Sequence, residues 1–140
     1  MPTSQATARW EGTLKDGRGT MKPAHASEVP FTLNTRFAGE KGSNPEEVVG
    51  AALAGCFSMA LSASLSKEGL APKTIDTNAT VQLDKDGDGF KISSIALRTQ
   101  VSVTGLSATQ LETIAQETKR NCPVSKALAG TQITLTVALI

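Results

Sequence analysis

The sequence predicts an α+β fold, an antiparallel sheet organised around one buried helix. Three observations carry this expectation. Short runs with a two-residue hydrophobic period occur at both ends of the chain and in its middle. Residues 44–67 form one long run that is apolar on nearly every side and rich in Gly, Ala and Ser, the mark of a helix enclosed by other elements. The elements follow in the order β-β-β-α-β-β-α-α-β, with no repeats, linkers or low-complexity stretches.

Residues 6–14 and 18–22 read as two strands around Lys15-Asp16-Gly17, where Asp-Gly favours a hairpin. Phe31, Leu33 and Thr35 alternate with Thr32, Asn34 and Arg36, which predicts a third strand that delivers Arg36 at its end. Asn44-Pro45-Glu46-Glu47 is a helix start: Asn44 suits the N-cap, Pro45 the first helical position and Glu47 the capping-box position. Gly69 and Pro72 stop the helix after Lys67. Ala79, Val81 and Leu83 alternate as a strand, and residues 84–89 make a turn. The strand over 90–103 changes phase between Ile92 and Ile95, which places a bulge near Ser93-Ser94. Ser107 with Gln110 opens a helix to about Arg120, Asn121-Cys122-Pro123 interrupts it and starts a short second helix, and Ile133 to Leu139 alternate as a last strand.

At 140 residues the chain has room for a single domain over 1–140. A net charge of +1, with Lys119-Arg120 the sole adjacent basic pair, gives no footprint for nucleic acid or an anionic membrane. The N-terminus lacks a signal-peptide pattern, and glycines and serines dilute the apolar stretch below a convincing membrane span, so the cytoplasm is the expected location. Asp84, Asp86, Asp88 and Gly89 imitate the start of a calcium loop, but its twelfth position is Ile95, and the turn reads as a solvated hairpin with no metal.

Two cysteines and one histidine, His25, cannot assemble the usual zinc sets, and His25 is a thin partner for a cysteine protease. That leaves Cys56 and Cys122 for redox chemistry, with two idle buried thiols as the alternative. Cys56 lies mid-helix in Ala54-Gly55-Cys56-Phe57-Ser58-Met59, where apolar surroundings alone would keep it inert, so reactivity requires a cation beside it; Arg36 is the candidate. Cys122 stands at a helix start, where unpaired N–H groups favour a thiolate. Glu47 serves the helix N-terminus, whereas Glu46, one place earlier, is freer to point elsewhere.

Together these residues resemble the osmotically inducible protein C and organic hydroperoxide resistance (OsmC/Ohr) family. Asn34-Thr35-Arg36-Phe37, the run from Gly39 through Ser43-Asn44-Pro45-Glu46-Glu47, the segment from Ala51-Ala52-Leu53-Ala54-Gly55-Cys56 to Leu61, and Asn121-Cys122-Pro123-Val124-Ser125 are similar to its signatures. Trp10-Glu11-Gly12 and the Ser107 helix extend the likeness over essentially the whole chain, and Asn-Thr-Arg-Phe ahead of the helix is more like the OsmC branch. The resemblance implies an intertwined homodimer, with sheets wrapped around long central helices. It implies a cofactor-free peroxidase in which Cys56 attacks an organic hydroperoxide, Cys122 resolves the product, Arg36 and Glu46 hold the thiolate and orient the substrate, and a dithiol such as a lipoyl group recycles the disulfide. Phe37, Phe57 and Met59 are candidate walls of an apolar pocket. A cysteine-pair redox sensor and a stress-response binding protein are the rival functions. Ten residues of helix separate Glu46 from Cys56, about 15 Å of rise, which a carboxylate cannot cover; Glu46 is therefore expected to serve the other subunit, with a kinked first turn that folds it back in cis and a purely capping role as the alternatives.

Overall fold

A computed structural model describes all residues, 1–140. The chain divides into two compact units, Met1–Val48 and Val49–Ile140.

In the first unit, β1 (Ala6–Glu11), β2 (Arg18–Pro23) and β3 (Val29–Phe31) form an antiparallel sheet in that order. Trp10 of β1 and Phe31 of β3 meet at 5.5 Å between ring centroids. They converge over Gly19 of β2, where a Cβ would lie 2.7 Å from both rings. The third strand ends at Phe31, earlier than its alternation predicts, because the next residues form helix α1 (Leu33–Phe37). Thr32 and Thr35 make a reciprocal capping box, Thr35 N–H to Thr32 Oγ1 at 3.1 Å and Thr32 N–H to Thr35 Oγ1 at 2.9 Å. Two local hydrogen bonds outweigh a short β-like alternation. Arg36 consequently sits in the last turn of a helix, not at a strand end. Helix α2 (Pro45–Lys67) begins in this unit with the expected cap, Glu47 N–H donating to Asn44 Oδ1 at 2.9 Å.

The second unit holds the body of α2 and the apolar core. β4 (Thr74–Asp86) and β5 (Gly89–Ser102) form a long antiparallel hairpin. Its two-residue turn needs Gly87 at φ +61°. Gln82 pairs with Ser94 but Leu83 pairs with Ile92, so Ser93 is the extra residue of the expected bulge. After α3 (Ala108–Asn121) and α4 (Pro123–Ala127), strand β6 (Gln132–Leu139) pairs with β5 in parallel. This is the one departure from an antiparallel arrangement, and the helical crossover between β5 and β6 is what makes it possible.

Leu53, Phe57, Leu61 and Leu65 recur every fourth residue along α2 and are fully buried against Ile95, Leu97 and Val101 of β5 and Leu111 and Ala115 of α3. The opposite side of α2 is exposed: Ala51, Ala52, Gly55, Met59 and Ala63 face solvent in the single chain. The helix is therefore apolar all round but covered on one side only, which differs from the enclosed helix its composition predicts. One sheet can cover one stripe of a helix. By length and composition α2 would also suffice to cross a bilayer, contrary to the sequence expectation, but its leucine row is built into a protein core.

Leu61→Ala removes a fully buried side chain from that row. It is expected to lower stability by about 3 kcal/mol, measured by urea unfolding of the reduced protein.

Candidate active site

Cys56 and Cys122 are brought to the same place by different means. Cys56 follows from the helical period: it lies beside the buried Leu53–Phe57 row and is half-buried. Cys122 occupies a break between two helices, closing α3 and opening α4 with φ −60° and ψ 127°. Pro123 causes the break, since its ring disfavours helical geometry in the residue before it while suiting the first position of the next helix. The backbone is fully used there: Cys122 N–H donates to Thr118 O at 2.9 Å, and Cys122 O accepts from Lys126 N–H at 3.0 Å. Thr118 in turn donates its hydroxyl to Ser64 Oγ of α2 at 3.0 Å, tying the two cysteine-bearing helices together.

The result is a thiol pair with Cys56 Sγ and Cys122 Sγ 2.9 Å apart. Both are free cysteines; Cys122 is 1% exposed. The separation lies inside ordinary non-bonded contact, and a disulfide at about 2.05 Å needs only a small closure. The thiols are hydrogen-bonded, and their ionisations are pushed apart. Cys56 is raised above its ordinary 9.0 by burial, by its hydrogen bond with Cys122 and by repulsion from it, against one lowering influence from the Val124 backbone N–H. Burial also pushes Cys122 up, but the neighbouring Cys56 thiol, the Ser125 backbone and hydroxyl and the Val124 backbone favour its thiolate and outweigh burial, and the net shift is downward.

In the first unit, Arg36 and Glu46 form a forked ion pair. Arg36 Nη2 lies 2.6 Å from Glu46 Oε1, and Nε lies 3.1 and 3.2 Å from the two carboxylate oxygens. Glu46 is 8% exposed, an unusual position for a carboxylate, and its guanidinium partner compensates the burial. The Arg36 guanidinium also lies 5.1 Å from the Phe37 ring centre.

Of the candidate pocket residues, Phe37 lines a cleft of about 470 Å³ with Trp10, Leu14, Phe31 and Arg36. Met59 is exposed on α2. Phe57 is corrected to a core residue: it shares the four-residue spacing of Leu53 and Leu61 and is fully buried with them. Trp10 and Phe31 were not singled out as lining residues from sequence, nor were Val124 and Ser125 as neighbours of the sulfurs. The cue for the last two was their place just after Cys122-Pro123, in the first turn of a new helix.

The fold thus brings two free thiols from distant parts of the chain into contact. The family model for OsmC-like protein matches residues 38–138. Peroxiredoxin OsmC of Escherichia coli is 49% identical over 130 residues, covering 91% of this chain and 90% of that protein. The organic hydroperoxide resistance protein OhrA of Bacillus subtilis is 34% identical over 101 residues, covering 71% and 70%. Among solved structures, OhrB of Bacillus subtilis superposes with a TM-score of 0.73 at 26% identity, covering 97% of this chain and 98% of that one. An OsmC-like protein of Vibrio cholerae reaches 0.79 at 19% identity, covering 99% and 100%. The chain belongs to the OsmC-like family, and the names of its relatives support a peroxidase role.

The reduced pair is expected to lose its protons in two steps, one below and one above pH 9.0. The single thiolate, and reactivity that depends on it, should be present above the lower midpoint and lost as pH falls through it. Thiolate ultraviolet absorbance against pH checks this; one unresolved step of twice the amplitude would contradict it.

Proposed function

We propose that this chain is a thiol peroxidase that reduces organic hydroperoxides to alcohols, with Cys56 as nucleophile and Cys122 as resolving cysteine. The observation that carries the reading is the 2.9 Å approach of the two sulfurs, one half-buried and one enclosed. The Cys56 thiolate attacks the distal peroxide oxygen, the O–O bond breaks, and the alkoxide leaves and takes up a proton as the alcohol. Cys56 becomes a sulfenic acid. Cys122 attacks that sulfur as a thiolate, the S–O bond breaks, and protonated hydroxide leaves as water. The disulfide so formed is reduced by an external dithiol such as a lipoyl group. The chemistry balances with no cofactor.

A mid-helix thiol raised by burial needs a cation before it can ionise at neutral pH. We assign that role to Arg36, with Glu46 holding the guanidinium, and place the pair at Cys56 of a second subunit because of the 15 Å helix rise given above. Two features favour the homodimer. The exposed Ala52, Gly55, Met59 and Ala63 face of α2 is apolar and made of small residues that allow close approach. The first unit buries only Gly19 and Glu46 and so has no apolar core of its own. The aromatic cleft beside Arg36, with Phe37 as one wall and Met59 as a candidate contact, suits an organic hydroperoxide better than hydrogen peroxide. We place this single peroxidase domain, residues 1–140, in the cytoplasm.

Cys56→Ser is expected to abolish even one turnover with cumene hydroperoxide. Cys122→Ser should complete one turnover and leave a sulfenic acid that dimedone traps. A normal first turnover in both variants would sink the peroxidase reading, and stoichiometric oxidation without recycling by excess dithiol would favour a redox sensor.

Ala52→Glu puts a charge on the exposed face of α2. It is expected to shift the protein toward monomer in analytical ultracentrifugation and to cut turnover at least tenfold under monomeric conditions, with the Cys56–Cys122 disulfide still able to form. Full turnover by a verified monomer would refute the assignment of Arg36 and Glu46 in trans.

A further inference from the structure

Ser125 is 8% exposed, and its hydroxyl oxygen is enclosed with no hydrogen-bond partner of adequate geometry. An unsatisfied buried hydroxyl opposes folding, because it has given up its bonds to water. Its position explains what it is not doing. Ser125 is the third residue of α4, where a side chain ordinarily reaches back as acceptor for the N-cap N–H. Here the N-cap is Cys122, whose N–H already donates to Thr118 O at 2.9 Å. The capping role is taken, and Cys122 makes no side-chain cap bond of its own. What remains is a free O–H one helical turn from the Cys122 sulfur, near enough to act on its ionisation.

Resting on the peroxidase reading, we propose that Ser125 is the hydrogen-bond donor that receives the Cys122 sulfur as it leaves the disulfide during recycling. The two sulfurs differ in access: Cys56 is half-buried and Cys122 is 1% exposed. An incoming dithiol therefore attacks Cys56 Sγ. A new S–S bond forms between reductant and Cys56, the Cys56–Cys122 bond breaks, and its electron pair departs on Cys122 as a thiolate. The second thiol of the reductant then attacks its own mixed disulfide, releasing Cys56 as a thiolate and the reductant as its cyclic disulfide; water supplies the protons that restore the thiols. A thiol of lower pKa leaves faster, so a hydroxyl turned toward Cys122 at that moment accelerates the step. The orphaned hydroxyl of the reduced chain is thus a donor held ready for an anion that exists later in the cycle. Ser125 acts through Cys122 and touches no substrate, so it is a positioning residue.

Two measurements test this, neither involving peroxide. In Cys56→Ser protein, the midpoint of Cys122 ionisation is read from thiolate absorbance. Adding Ser125→Ala should raise it by about one pH unit, and Ser125→Thr, which keeps the hydroxyl, should restore it. In protein with both cysteines, oxidised beforehand with diamide, stopped-flow reduction by dithiothreitol should slow severalfold in Ser125→Ala and recover in Ser125→Thr. An unchanged midpoint or an unchanged reduction rate in Ser125→Ala overturns the proposal, as does a threonine variant that behaves like alanine. Because the hydroxyl has no partner of adequate geometry in the reduced chain, Ser125→Ala should also fold with an equal or higher urea midpoint. An unfolded variant would reveal a structural duty and overturn the proposal too. A chain that reduced no hydroperoxide could still pass these tests, so the two readings fail separately.

Discussion

The approach of Cys56 Sγ to Cys122 Sγ at 2.9 Å is the contact the rest of the molecule serves, and it is set by placement on the scale of whole elements. The position of α2 is fixed by the row Leu53, Phe57, Leu61 and Leu65 locked against the sheet. That of α3 is fixed by Leu111 and Ala115 in the same core and by the Thr118–Ser64 bond. The hydrogen bond contributes about 1 kcal/mol net, less than any one of the buried leucines. Its importance lies in register: it sits one turn before Cys122 and aligns α3 against α2 along the helix axis. Pro123 then ends α3 at the point where the next side chain turns toward Cys56.

Much of this was legible in the sequence because it is local. Asn44-Pro45 opening α2, the Ser107–Gln110 capping box, the bulge at Ser93 and the break at Cys122-Pro123 are each encoded within a few residues. Where two local signals compete, the caps win. The alternation of Phe31, Leu33 and Thr35 predicted strand, but the Thr32–Thr35 caps made a helix. The parallel pairing of β6 was out of reach, since alternation reports a strand and not its direction.

The site divides along the same line. Helical period makes Phe57 and Cys56 face different ways, which puts Phe57 with Leu53 and Leu61 in the core. The Arg36–Glu46 fork joins residues ten apart through a loop whose path no spacing rule gives. The approach of Cys56 to Cys122, across 66 positions, needed the tertiary fold or a family likeness to anticipate. The two units also show an uneven sharing of apolar surface. The second unit owns the whole core, while the first is a thin sheet whose β1 is exposed throughout. Such a distribution leaves aromatic and small apolar faces of both units exposed in the single chain.

The span between the cysteines has a consequence for the life of the chain outside its reaction. A bond between Cys56 and Cys122 closes a loop of 66 residues that contains the β4–β5 hairpin and all of α3. Restricting a disordered chain by a loop of that length is worth about 4 kcal/mol on the chain-entropy account, a large fraction of the stability of a small protein. Under the proposed mechanism each oxidation would therefore stiffen the molecule as well as record a reaction. On that mechanism, the spent form that accumulated when reductant ran short would also be the form that resists unfolding and proteolysis, so the pool waiting to be recycled would be the longer lived.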